Sequence, residues 1–303
     1  MDVSVVVVSW NTRDLLARCL ASVFAHPPAA AFDVWLVDNG SSDGTPSMVR
    51  QDFPQVRLIE SKENLGFSAG NNLAMKQAQG HFLLLLNSDA MVLEGTIDAL
   101  LAAARTDIKI AAVGPRSVNA DGSFQASFND FPVLTCEILD AFGLLKSVWG
   151  SFYPSYPPGR SALSRECDWV GGACLLVRRQ AIDDVGQLDE GYFMYAEEMD
   201  WCYRVRQAGW KVFYCADATV VHVGGASAHR PSAKQRIRLY RSKTRFLRKY
   251  KGAVAAAMYR LAIRVSSLLK CGYWLAGSLV GPDRSAAYAQ ATSHWAVLRS
   301  VLQ

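Results

Sequence analysis

Apolar runs and helical periodicities alternate along the first third of the chain. The run VSVVVV (3–8) is β-branched and ends at Ser9-Trp10-Asn11, the pattern of a buried strand with a polar tip. Leu15, Leu16, Cys19, Leu20, Val23 and Phe24 recur at helical spacing, and Pro27-Pro28 closes that helix. A second apolar run, 34–37, ends at Asp38. Thr45-Pro46 predicts a helix start, a cap followed by proline at the first helical position. Residues 56–59 predict a third strand, 68–79 a helix stopped by Gly80, 82–86 a strand, 95–104 a helix and 110–113 a strand. Repeated strand–helix units imply an α/β fold with a mostly parallel central sheet and helices on both faces.

The stretch HFLLLLNSDAMVL (81–93) stands out. Its five central apolar residues read as a strand buried on both faces, and it turns polar at Asn87-Ser88-Asp89. Those three are ordinary turn residues. They also sit where open α/β sheets bind their ligands, at the carboxyl end of a central strand.

From about residue 119 to 165 the pattern weakens, and FYPSYPPGR (152–160) reads as a loop. Regularity returns with DWVGGACLLVRR (168–179), a strand containing two glycines. A helix follows near 196–208, stopped by Gly209, and KVFYCADATVVHVGG (211–225) predicts two short strands. After His229 a basic helical tail begins. The expected division is a domain over 1–228, with a nucleotide-sugar half at 1–115 and an acceptor and catalytic half at 116–228, and a helical region over 229–303.

Composition narrows the class. Half the residues are apolar and 19% are charged, so the chain can build a globular core. Seven cysteines, without a C-x-x-C, point to reduced thiols rather than disulfides or a zinc site. The N-terminal apolar run is too short for a signal peptide or a spanning helix. The net charge of +5 is unevenly spread, because ten Lys or Arg and no acid lie between Arg230 and Lys251. Tyr240, Phe246, Leu247 and Tyr250 interleave with that charge. The apolar segment 253–280, interrupted by Arg260, Arg264 and Lys270, follows. An anionic membrane surface fits this tail best; a solvated helical face and nucleic acid are the other readings.

The sheet lacks the G-x-G-x-x-G of a dinucleotide site and the G-x-x-x-x-G-K-[ST] of a P-loop. Small polar residues and acids stand at its strand tips instead. They are Ser9 and Asn11, then DNGSSDGT (38–45), NLGFSAGNN (64–72) and Asp89. Such groups can hydrogen-bond a base and ribose and hold a metal over a diphosphate.

VSVVVVSWN, VWLVDNGSSDGT, NLGFSAGNN, LLLLNSDA, GGACLLVRR and GYFMYAEEMDWCYRVRQAGW occur in that order. Together they resemble the family 2 inverting glycosyltransferases of the GT-A fold, in the rhamnosyltransferase-like branch, over about residues 3–225. The resemblance implies that Asp38 contacts the nucleotide's base or ribose, with Ser9, Asn11, Asn39 and Asp43 lining the same pocket. It assigns Asn64, Gly66, Phe67, Gly70 and Asn71 to the sugar-nucleotide pocket. Asn87-Ser88-Asp89 matches the metal-binding Asp-x-Asp motif with its first acid replaced by Asn, which leaves Asp89 as the carboxylate ligand. His222 matches a later metal-ligating histidine; taken alone it reads as a strand-end histidine in a core. Carboxylate plus imidazole suits Mn²⁺, with Mg²⁺ as the other choice.

The resemblance also places the base that takes the acceptor's proton at Glu198. Glu197 is then a supporting or alternative acid, although a run of helix acids is ordinarily a wet face. Asp200 lies four residues before Arg204, where the two can pair on a helix, and so reads as structural before it reads as a base. Gly171 and Gly172 allow close approach of an acceptor or form a bulge. Trp169, Tyr192 and Phe193 stack on a sugar or belong to the core.

The resulting expectation is a metal-dependent inverting enzyme on the inner face of the cell membrane. It moves a sugar, L-rhamnose from dTDP-rhamnose as the favoured donor, to a lipid-linked or polysaccharide acceptor. A sugar nucleotidyltransferase and a non-catalytic, membrane-attached glycan-binding module are the alternatives.

Overall fold

A computed structural model describes residues 1–145, 161–224, 232–280 and 283–302. They form two compact units. The first holds the described residues of 1–131, 161–193 and 197–224; the second holds those of 132–145, 194–196 and 232–302. The second unit thus takes 132–145 from the stretch that the sequence reading gave wholly to the catalytic half. The predicted loop at 152–160 and the junction at 228 lie outside the described residues.

The first unit opens with β1 (Val3–Ser9), α1 (Arg13–Ala25), β2 (Phe32–Asp38), α2 (Thr45–Asp52), β3 (Arg57–Glu60), α3 (Gly66–Met75) and β4 (Phe82–Asn87). β5 (Ala90–Val92), α4 (Thr96–Arg105) and β6 (Ile110–Val118) follow. Strands β3, β2, β1 and β4 are parallel neighbours, as repeated strand–helix units require. Side chains alternate as period 2 demands. Val3, Val5, Val7, Leu84 and Leu86 join Leu16, Leu20 and Leu100 of α1 and α4 in one apolar layer. Val6, Leu83 and Leu85 join Met75 and Trp201 in the other. The central strand is therefore buried on both faces.

Beyond β4 the sheet becomes mixed. After β7 (Phe124–Gln125) and β8 (Phe128–Asn129) come α5 (Leu134–Phe142) of the second unit, then β9 (Arg165–Cys167), β10 (Trp169–Val170) and β11 (Cys174–Arg178). α6 (Arg179–Val185), α7 (Glu197–Gln207) and β12 (Lys211–His222) complete the unit. β11 inserts antiparallel between β4 and β6, and β12 runs parallel to β6 and antiparallel to β5. The glycine-containing strand predicted at 168–179 is thus split into β10 and β11. The two short strands predicted at 211–225 are one strand with an irregularity between Cys215 and Thr219.

Local starts and stops differ in instructive ways. Gly44, in the left-handed region, caps α2, and Thr45 becomes its first residue with its hydroxyl donating to Asp43 Oδ1. α3 ends at Met75 rather than at Gly80. Gly80 instead packs against Ser4, where a side chain would collide with the Ser4 main chain.

The second unit contains α5, α8 (Ala233–Val280) and α9 (Arg284–Leu302). Gly252, at φ 90° and ψ 172°, breaks α8 into two helical segments. Ala141, Leu247, Tyr259, Ile263 and Val297 form its core. Lys243 reaches the buried Glu137 carboxylate at 2.7 Å.

Candidate active site

Strand register aligns the polar tips. Ser9 lies beside Asp38 across β1 and β2, and Val8 lies beside Asn87 across β1 and β4. The Ser9, Thr12 and Ser88 hydroxyls form a chain with 2.9 Å links, tying the end of β1 to the turn after β4. The loop after β1 carries Asn11 in the left-handed region at φ 53°, a conformation Asn tolerates. Asn11 receives the Ser42 N–H on Oδ1 and donates its own N–H to Ser41 Oγ. Asp43 accepts the Arg13 N–H and the Thr45 hydroxyl, and these hydrogen bonds, outweighing partial burial, hold its carboxyl below the ordinary range.

Asp38 uses Oδ2 for the Ser41 N–H at 3.0 Å, while its buried Oδ1 has no partner. A buried acceptor without a donor is costly. Asn39 donates to the Gly66 carbonyl, and its Oδ1 is likewise buried without a partner. Gly66 requires glycine twice over. Its φ is +82°, and a Cβ there would lie 2.4 Å from the Phe193 carbonyl oxygen. Asn64 receives the Gly66 N–H and Asn71 donates to the Phe67 carbonyl, so both shape the loop. Gly70 leaves room for Val8 and Asn39, since a Cβ would lie 2.9 Å from the former.

The turn Asn87-Ser88-Asp89 meets the end of β12. Pairing of His222 with Ala90 brings the imidazole to Asp89, with Nε2 3.3 Å from Oδ1. The Asn87 amide nitrogen stands 3.5 Å from the same Nε2. A Cβ on Gly224 would lie 1.8 Å from Asp89 Oδ2 and 3.1 Å from His222 Nε2. Glycine therefore opens a cradle around this pair. Among the described residues no group of three or more His, Cys, Asp or Glu is arranged to hold a metal. The protein offers one carboxylate and one imidazole here, donor types that suit Mn²⁺.

On the facing side, the loop between β10 and β11 is stitched to this turn. Ala173 accepts the Asn87 N–H at 3.0 Å, and Gly171 donates to Ser127 O. A Cβ on Gly172 would touch both Glu198 and Phe67, each at 3.7 Å. Glu198 Oε2 is buried with no partner. Burial raises the Glu198 carboxyl to about 7, against stabilising N–H groups that include Gly172. Glu197 is buried beside it; burial first, then the Glu198 charge, pushes its carboxyl well above the carboxylate range. The two residues before α7, Tyr195 and Ala196, both adopt positive φ, a strain that non-glycine residues keep only where surrounding structure enforces it.

Asp200 differs from both. One oxygen accepts the Tyr192 hydroxyl at 3.2 Å and the other the Arg204 Nε at 3.0 Å. Arg204 also donates to the Val185 and Gln187 carbonyls. Tyr192 is core, and Trp169 donates to Asp130 O. Phe193 is 38% exposed. Thr12, Gln125 and Gly224 escaped the sequence reading. Only Gly224 left a signal there, as part of HVGG. A separate cavity of about 250 Å³ between His81, Arg178 and Arg179 lies at the other end of the strands. Both arginines there donate to main-chain carbonyls.

The pattern of glycosyl transferase family 2 matches residues 4–186. The chain is 32% identical over 293 residues to an N-acetylglucosaminyl-diphospho-decaprenol L-rhamnosyltransferase of Mycobacterium tuberculosis, covering 91% of this chain and 93% of that one. In fold it is similar to a mannosyltransferase of Pyrobaculum calidifontis solved with GDP-Man and Mn²⁺ (TM-score 0.60, 15% identity, 99% of this chain and 86% of that one). It is also similar to GalNAc-T7, solved with UDP, GalNAc and Mn²⁺ (TM-score 0.54, 18% identity); that match spans 74% of this chain but only 44% of the other's length.

Proposed function

The chain belongs to glycosyl transferase family 2 and is a glycosyltransferase of the GT-A type, and from that premise we propose that it transfers L-rhamnose from dTDP-rhamnose to a lipid-linked saccharide with inversion. The observation that carries the mechanism is the bare, buried Glu198 oxygen at Gly172, one residue from the carbonyl that fixes Asn87. A carboxyl held near neutrality suits a general base. Glu198 takes the acceptor's hydroxyl proton as that oxygen bonds to the anomeric carbon. The bond from that carbon to the diphosphate breaks on the opposite face, and its electron pair leaves with the diphosphate. Asp38 Oδ1 accepts from the base or ribose, and the loop containing Gly66, Phe67 and Asn71 shapes the sugar pocket. Asp89 and His222 would hold Mn²⁺ or Mg²⁺, which when bound neutralises charge growing on the diphosphate. Glu197, whose carboxyl is pushed up by burial and then by the Glu198 charge, supports Glu198; Asp200 holds α7 in place.

The name of the mycobacterial relative favours rhamnose and a polyprenyl-diphosphate acceptor. The assay is transfer by the purified chain from dTDP-rhamnose, with MnCl₂, to a GlcNAc-diphospho-lipid, with the anomeric configuration read by NMR. A product of inverted configuration is expected. Transfer only from another nucleotide sugar would overturn the donor assignment, and retained configuration would overturn the single displacement.

The acceptor's lipid suggests where the second unit works. α8 is long and apolar enough to cross a membrane by length and composition. Its buried side nevertheless packs Ala255, Ala256, Tyr259 and Ile263 into protein, which favours lying in the interface. Exposed Val254, Met258, Leu261, Val265 and Leu268 follow each other at steps of three and four, one apolar stripe. The cations before it complement anionic lipid on the inner face, as amphipathic surface helices do. Not all of them are available: Lys243 pairs with Glu137, and Arg236 donates toward His294 and Gln290. Arg241, which donates toward the Ser300 carbonyl, and Arg245, Arg248 and Lys251 are exposed at the surface. Reversing these four to Glu should release the protein from phosphatidylglycerol–cardiolipin vesicles, at about 1 kcal/mol for each cation near the surface. Binding indifferent to this change and to salt would refute the attachment.

A further inference from the structure

The Asp89–His222 pair is held by a side chain that neither acid–base chemistry nor motif spacing singles out. We infer that Gln125 is a positioning residue: it fixes His222 in the tautomer whose Nε2 lone pair faces Asp89 and is offered to the metal. This rests on the metal reading above.

The inference follows from atoms whose roles are not interchangeable. Gln125 Nε2 is 3.3 Å from the His222 main-chain oxygen, which only accepts. It is also 2.9 Å from Asn119 Oδ1. Asn119 is oriented in turn, because its Nδ2 donates to Ser123 Oγ at 2.9 Å and toward the Phe124 main-chain oxygen at 3.4 Å. The amino group of Gln125 is thus committed, and its Oε1 faces His222 Nδ1 at 2.8 Å. An amide oxygen only accepts, so Nδ1 carries the hydrogen. In a neutral imidazole the other nitrogen then has none.

In that neutral form Nε2 is a lone pair, 3.3 Å from a carboxylate oxygen and 3.5 Å from the Asn87 amide nitrogen. Two acceptors at that distance repel unless positive charge lies between them. The space that Gly224 leaves open borders Nε2 and the other oxygen of the same carboxylate, Asp89 Oδ2. Gln125 itself is placed by the pairing of β7 with β6, opposite Ser117. The orientation of the imidazole is thereby built into the sheet before any ligand arrives. A hydrogen bond to the distal nitrogen of a metal-ligating histidine commonly tunes affinity in this way.

The test uses the full chain and two variants. Gln125→Met keeps the length and removes the acceptor; Gln125→Glu keeps an acceptor facing Nδ1. Long-range ¹H–¹⁵N correlation of the metal-free protein, at about pH 8 where an ordinary imidazole is neutral, reads the tautomer directly. The His222 signals are assigned by their loss in His222→Asn. Calorimetry of MnCl₂ with dTDP reads affinity. The wild type should show hydrogen on Nδ1. Gln125→Met should mix the tautomers and weaken Mn²⁺ binding by about 10–100-fold, and Gln125→Glu should restore the Nδ1–H form and most of the affinity. Hydrogen on Nε2 in the wild type, or a folded Gln125→Met with unchanged tautomer and affinity, overturns the role of Gln125 and leaves the metal reading standing. No Mn²⁺ binding by the wild type overturns the metal reading and this inference with it. Should Gln125→Met not fold, the wild-type tautomer decides alone.

Discussion

Two acidic regions of the first unit use the same functional group for opposite ends. At the turn after β4, Asp89 is 21% exposed at its side chain and faces an imidazole across a space kept open by glycine. At the start of α7, Glu197 and Glu198 are packed side by side, each with a buried oxygen that finds no partner. The first environment offers negative charge to a cation. The second penalises charge, so the Glu198 carboxyl rises to about 7 and its proton becomes exchangeable near neutrality. Two residues further on, Asp200 shows the third outcome, with both oxygens bonded. Surroundings, not residue type, separate the ligand and the base proposed above from the brace.

The strongest way to break this division is Glu198→Gln, which keeps size and loses the base. Turnover should fall by about 10²–10⁴-fold while donor and Mn²⁺ affinity stay near wild type. Steady-state kinetics with donor titration check this; near-normal turnover would move the base to Glu197 or Asp200.

Asp200→Ala asks whether its role is structural. It removes the buried carboxylate that accepts the Tyr192 hydroxyl and pairs with Arg204, so stability should drop by about 3–5 kcal/mol. Denaturant unfolding measures the loss. An unchanged midpoint with abolished transfer would make Asp200 catalytic instead.

Gly224→Ala tests the cradle from the other side. Its Cβ would press on Asp89 Oδ2, and Mn²⁺ affinity should weaken by about 10–100-fold with the melting temperature little changed.

The smallest effect is on stability against pH. Burial raises Glu198 from 4.5 to about 7 in the folded chain, so between these values the folded protein binds more protons than the unfolded one. Stability therefore falls as pH rises through that window. Glu198→Gln should flatten this slope and melt a few degrees above wild type at about pH 8. Turnover of the wild type should rise over the same range, because the base acts only when ionised.

How much of this was legible beforehand depends on the range of each interaction. The run 82–86 and its polar tip, the strands at β1 and β2, and the Asp200–Arg204 pair are written in local periodicity and i, i+4 spacing. The GT-A-type fold followed from motifs in order. The cap of α2 was misplaced by one residue because a glycine in the left-handed region substitutes for a polar cap. β7, β8 and β10 are two residues long each, too short for any period to register. In the basic tail, Arg236 and Lys243 likewise have partners, Glu137 among them, that no charge count reveals.

By itself, then, the sequence determined the alternation of strand and helix, the polar strand tips and the acids of α7, because apolar periodicity and turn chemistry act between residues near in the chain. Only the tertiary structure decided that β11 would run antiparallel beside β4, that Ala173 would fasten Asn87, and that Glu198 would be buried enough to hold its proton to about 7. It alone decided that Gln125 would turn His222 toward Asp89. These depend on which distant segments pair and exclude water from one another, a free energy shared across the whole sheet and carried by no single stretch of chain.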